Sequence, residues 1–211
     1  MKRCKSIILA LCAVLLVVVT VIGTIAYLQD TASVVNTFTV GKVRLKLDEA
    51  VVDENGGSIG GRTETGNQYH LVPGKTYIKD PTVTVLKGSE ESYVRMMLTI
   101  NCASELDTIF APSGAVLTDI FNGYDATNWN YVGVTRGNDN TITYEFRYKE
   151  TVDPDGSDVT LDALFDSFTV PKNLTGAQLE SIASLKISVE AHAIQETGFT
   201  NANEAWAAFS K

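Results

Sequence analysis

An antiparallel β-sandwich of jelly-roll type, all-β apart from short helices, is the fold class this sequence predicts. Seven or so short stretches alternate apolar with polar residues, and clusters of Gly, Asn, Asp and Ser separate them at irregular spacing. Only 5 prolines interrupt 211 residues, the helical patterns are short, and neither an internal repeat nor a heptad is visible. The elements follow in chain order.

Met1-Lys2-Arg3-Cys4-Lys5 is a basic start, residues 7–22 are apolar apart from Thr20, and Thr24 and Ala26 are small residues at the −3 and −1 positions of a peptidase site. That order defines an export leader cut between Ala26 and Tyr27. The expected organisation is a signal peptide over 1–26, an N-terminal strand segment over 27–47, and a sandwich domain with a C-terminal helix over 48–211. The alternative is a retained membrane anchor, since residues 7–28 approach the length of a span.

After the leader, Val34, Val35, Phe38 and Val40 form a β-rich stretch, Gly41 is a kink, and Val43, Leu45 and Leu47 alternate inward against Arg44 and Lys46 outward. Residues 53–68 are polar and glycine-rich and read as a flexible loop. Val72-Pro73-Gly74-Lys75 has proline and glycine in type II turn positions. It feeds a strand over 76–86, which the turn over 87–92 would join to a strand over 93–101 as an antiparallel pair. Ser104 with Asp107 resembles a capping box opening a helix toward Phe110, ended by Pro112, and 117–121 suggest another helical turn. Residues 129–135 and 141–149 predict a hairpin, with Ile142, Tyr144, Phe146 and Tyr148 on one face. A helix over 175–183, a strand over 184–194 and a final helix capped at Asn201, with Trp206 and Phe209 on one face, complete the chain.

Charge and chemistry narrow the function. Without the leader's three basic residues the 17 basic residues fall to 14 against 25 acids, a formal charge of −11. That balance argues against nucleic acid and anionic membrane surfaces, and suits a self-repelling extracellular protein. Cys4 and Cys12 lie in the leader, which leaves Cys102, within apolar surroundings, as a buried inert thiol. A catalytic base or a zinc site would have to use His70 or His192, and neither stands in a known hydrolase or zinc-binding pattern. Asp153, Asp155, Asp158 and Asp162 surround Gly156 without EF-hand spacing, and read as a solvated acidic turn. No catalytic residue, metal or cofactor is expected, and the specific features that remain are the leader and the strand-forming segment behind it.

At Gly23-Thr24-Ile25-Ala26-Tyr27-Leu28-Gln29-Asp30, followed by Asn36-Thr37-Phe38-Thr39-Val40-Gly41-Lys42-Val43, the sequence resembles the TasA/camelysin group. These are exported proteins of Gram-positive bacteria whose leaders are cut by the dedicated signal peptidase SipW. The family's small-residue cleavage site, following aromatic and Asp, and Phe-x-x-Gly-x-apolar strand fall on Ala26, Tyr27, Asp30, Phe38, Gly41 and Val43. The turn at Leu71 to Lys75, Asp80-Pro81 and Tyr93-Val94-Arg95 are similar as well, while 103–183 do not align. The resemblance implies a secreted, non-enzymatic jelly-roll subunit that polymerises into biofilm matrix fibres, in the extracellular matrix or on the cell surface. The freed segment with Tyr27, Leu28, Val34, Val35, Phe38 and Val40 would be the donor strand inserted into the next subunit, the alternative being that residues 31–40 form the first strand of their own domain. The implied partners are the chain itself, head to tail, the SipW-type peptidase and other matrix components. A camelysin-like secreted metallopeptidase and a membrane-tethered adhesin are the alternatives.

Overall fold

The computed structural model describes residues 42–110 and 119–209. The leader, the cleavage site at Ala26 and Tyr27, and the donor-strand residues Leu28, Val34, Val35, Phe38 and Val40 lie outside the described residues, as does Pro112.

The elements are β1 (Leu45–Val52), β2 (Ser58–Thr63), β3 (Thr76–Ile78), β4 (Thr82–Val85), β5 (Ser92–Ile100), α1 (Ala103–Phe110), β6 (Phe121–Asn122), β7 (Trp129–Arg136), β8 (Ile142–Tyr148), β9 (Val159–Thr160), β10 (Ser167–Thr169), α2 (Gly176–Ser181), β11 (Ile187–Gln195) and α3 (Ala202–Ala208). Every pairing between these strands is antiparallel. They form sheets in the orders β2-β1-β4-β9, β3-β10-β6 and β11-β5-β8-β7. This is the all-β sandwich that the alternation predicts.

Strand β5 shows why the sequence folds this way. Val94, Met96, Leu98 and Ile100 alternate with Tyr93, Arg95, Met97 and Thr99, and the first set is fully buried. Ile142, Tyr144 and Phe146 of β8 and Val83 and Val85 of β4 meet them in one core. Each such side chain contributes roughly 1.5–3 kcal/mol on leaving water, so the period of two is enforced along the strand. The 129–149 hairpin forms as read, and so do the final helix, where Asn201 Oδ1 accepts the Glu204 N–H at 3.1 Å, and α2, where Thr175 and Gln178 make a capping box. The Val72 to Lys75 turn also forms, with Gly74 at φ +79° and the Lys75 N–H on the Val72 carbonyl at 3.1 Å.

Five expectations are corrected. The stretch 76–86 is two strands in different sheets, β3 beside β10 and β4 between β1 and β9. Pro81 has no N–H for a ladder, and the Asp80 carboxylate is occupied by the Ala50 N–H at 2.6 Å, so the chain changes sheet there. Nor do β4 and β5 form a hairpin. The turn between them runs along residues 42–44 through Leu86 N–H to Arg44 O and Glu90 N–H to Lys42 O, which delivers β5 to the opposite sheet.

The glycine-rich 53–68 stretch contains β2, paired to β1 from Val52↔Ser58 to Glu49↔Thr63. Asp53 organises the turn by accepting from the N–H groups of Asn55 and Gly57, both at 2.9 Å. Gly56, at φ +76°, leaves room for the Tyr77 ring that a Cβ would strike. Further, the domain boundary placed after residue 47 falls inside β1, where Leu45, Lys46 and Leu47 pair with Val85, Thr84 and Val83. Residues 42–47 are therefore part of the sandwich.

Helix α1 takes its cap from elsewhere in the chain. Ser104 sits inside the helix, and Asn140 in the β7–β8 turn accepts the Ser104 N–H on Oδ1 at 2.9 Å and the Ala103 N–H on its carbonyl at 3.0 Å. Asn140 tolerates the required φ of +60° because its short amide suits the left-handed region. Replacing it with Ala removes the cap and strains the turn, and a loss of about 1–2 kcal/mol is expected in urea unfolding.

Candidate binding cleft at an open sheet edge

Strand β11 lies at the end of its sheet and pairs with β5 over its whole length, from Ile187↔Ile100 to Gln195↔Ser92. Its other edge has no strand partner among the described residues. Such an edge presents a row of backbone donors and acceptors to any extended chain that reaches it.

The side chains tell the same story. Leu185, Ile187, Val189, Ala191 and Ala193 turn toward the core but are only partly buried, whereas their β5 neighbours are fully so. The inward face of β11 thus has an apolar floor without a complete roof. Beside it is a cleft of about 510 Å³, lined by β1, the chain from Thr63 to Leu71 and residues 183–189. Its apolar walls include Leu47, Leu71, Phe168, Leu185, Ile187 and Val189.

Of the five charged residues that line this cleft, Asp48, Glu49, Glu64, Lys79 and Lys186, two form a buried pair. Lys79 Nζ is 2.6 Å from Glu49 Oε2, and the two side chains are only 7% and 8% exposed. The second carboxylate oxygen accepts from Asn67 Nδ2 at 2.8 Å, and Asn67 also bonds the Ala50 carbonyl and the Val52 N–H, which fastens the 63–71 chain to β1. Tyr69 donates to the Ile78 carbonyl at 3.0 Å, and its ring packs edge-on against Phe168 and Tyr77. Burial, then the negative charge of Glu49, push the Tyr69 hydroxyl well above its ordinary pKa, so it remains a donor.

The β1–β2 side of the cleft is held by ions. Asp48 pairs with Lys46 at 2.8 Å and with Arg62, which also reaches Asp80 Oδ2 at 2.8 Å. Burial disfavours the Asp48 charge, but hydrogen bonds from Lys46 and Arg62 outweigh it and hold the carboxyl below its ordinary 3.8. A depressed carboxyl stabilises the fold above its unfolded pKa and loses that contribution as pH falls through the folded value. The midpoint of the acid-induced shift of the Arg62 Nε–H resonance is therefore expected to fall below the ordinary carboxylate value of 3.8. In Asp48→Asn that transition disappears.

The side chains singled out by sequence are dispersed. His70 is exposed ahead of the Val72 turn, while His192, on the outward side of β11, accepts from Arg95 Nε on Nδ1 at 3.2 Å. The Arg95 guanidinium lies 4.4 Å from the Trp206 ring centroid and 4.8 Å from that of Phe209, so the two histidines serve different surroundings and the final helix docks on Arg95. Asp153, Asp155, Asp158 and Asp162 are all exposed, with Asp158 accepting the Lys87 N–H and Asp162 accepting from Asn128. Among the described residues no group of three or more His, Cys, Asp or Glu is placed to hold a metal ion. Cys102 is a free, buried thiol, as expected.

Sequence reasoning missed Glu49, Lys79 and Asn67. One signal was present: Leu45, Leu47 and Glu49 share a face at period two, which places an acid on the inward side and calls for a partner. That partner is Lys79, 30 residues further on, and no local pattern points to it. No protein-family model, curated protein or solved structure matches the chain.

Proposed function

We propose that this chain is a secreted structural subunit that polymerises head to tail into extracellular biofilm matrix fibres. The single observation that supports it best is the β11 edge, which has no strand partner among the described residues, over a half-buried apolar floor and next to a cleft of about 510 Å³. The donor is the segment with Tyr27, Leu28, Val34, Val35, Phe38 and Val40, freed when a SipW-type peptidase cuts after Ala26. Inserted along β11 of the next copy, it satisfies the edge and removes its own apolar side chains from water. The contact is heterologous, so it propagates as an open filament on the surface of a Gram-positive cell or in its matrix. The protein is not an enzyme in this reading, and needs no cofactor or nucleic acid.

Negative-stain microscopy tests it. A chain beginning at Tyr27 is expected to form filaments, and one lacking residues 27–40 to remain single or to add only to existing ends. If both stay monomeric over a wide range of concentration and pH, the proposal fails. An intact leader on the native protein would favour a tethered surface protein instead.

A further inference from the structure

We propose that Asn36 sets the register of strand insertion by binding the buried Glu49–Lys79 pair of the accepting subunit, an inference that rests on the assembly reading above. In an extended segment Val34, Asn36, Phe38 and Val40 fall on one face and Val35, Thr37 and Thr39 on the other. The first set is the more apolar, and Asn36 is the one polar residue within it. The cleft has the matching pattern, since Leu47, Leu185, Ile187 and Val189 are apolar and, of its charged residues, Glu49 and Lys79 are buried together while Glu64 and Lys186 are exposed and Asp48 is taken by Lys46 and Arg62.

An asparagine amide has a carbonyl oxygen to accept from the Lys79 ammonium and an NH₂ to donate to the Glu49 carboxylate. Lys79 gives one N–H to Glu49, and an ammonium has three to give. The occupant is thus a specific stretch of this chain, residues 34–40. A slip by one residue would turn Phe38 and Val40 out to solvent. A slip by two would keep the apolar face inward but set Val34 or Phe38 against buried charges and Asn36 against an apolar wall. Neighbouring apolar positions alone discriminate weakly between even registers, so the polar match supplies the choice.

The test is a charge-transfer cycle in chains beginning at Tyr27, with filament growth followed by light scattering and folding by urea midpoint. Asn36→Asp brings a second carboxylate against Glu49 and is expected to slow growth at least tenfold. Adding Glu49→Gln leaves one carboxylate on Lys79 and restores growth to within about threefold, whereas Val34→Asp and Phe38→Asp are not rescued by Glu49→Gln. A short bis-maleimide between Thr37→Cys and Thr65→Cys at the cleft, which leaves Asn36, Asn67, Glu49 and Lys79 in place, is expected to link neighbouring subunits into a ladder, and Cys at 31 is not.

Filaments that ignore Asn36→Asp, or equal rescue at 34 and 38, would overturn the register contact while leaving the assembly reading intact. Rescue that appears in the urea midpoint of a non-polymerising monomer, with an intramolecular maleimide link, would support the contact and refute the assembly reading. No linkage at any position and no rescue would overturn the contact.

Discussion

Val189→Asp is expected to abolish filament growth. Val189 lies on the inward, half-buried side of β11 and lines the cleft, so the free subunit can still hydrate a carboxylate there. An inserted strand would cover it, and burying an unpaired carboxylate costs several kcal/mol. A penalty of about 4 kcal/mol at each junction is a fall of roughly a thousandfold in subunit affinity, enough to take assembly below any practical concentration. The measurement is the concentration at which scattering and microscopy first detect filaments. The same variant keeps its own residues 27–40 and is expected to cap the accepting end of unmodified filaments.

The second large effect is on folding. Lys79→Met removes the cation from Glu49, whose side chain is only 8% exposed, and leaves Asn67 as its remaining side-chain donor. Breaking a buried pair from one side typically costs about 3–5 kcal/mol, because the surviving charge has lost both water and counter-ion. The urea midpoint of Lys79→Met should fall accordingly, with the slope unchanged. Lys79→Met combined with Glu49→Leu should recover most of the loss, since two apolar groups need no partner. If the double variant is as weak as the single one, Lys79 acts through packing rather than charge.

The parts of this fold that were legible in the sequence are those written locally. The buried alternation of β5, the β7–β8 hairpin, the Thr175–Gln178 box of α2 and the Asn201 cap of α3 each depend on residues within a few positions of one another. Errors arose where a distant partner overrides local chemistry. The turn after β4 looks like a hairpin connection, but hydrogen bonds to Arg44 and Lys42 carry the chain across to the other sheet. The cap on α1 comes from Asn140, 36 residues beyond Ser104. Glycines in β2 hid a strand whose register depends on β1 and on the Arg62 ion network.

The cleft was half legible for the same reason. An apolar strand-forming segment behind the leader suggests a donor, and residues 184–194 read as a strand. That β11 ends its sheet, with its inward side chains partly uncovered, is a matter of strand order, which pairing between distant segments decides. Glu49 announces itself by standing in line with Leu45 and Leu47, and only the fold brings Lys79 to it.

The most direct test of the central claim mixes two defective subunits. Val189→Asp, begun at Tyr27, can donate a strand but not accept one. A chain that lacks residues 27–40 can accept but not donate. Each alone should be monomeric by multi-angle light scattering, and an equimolar mixture should form a discrete one-to-one heterodimer that grows no further. Two unchanged monomer peaks at concentrations where the unmodified chain is fully polymerised would contradict the account.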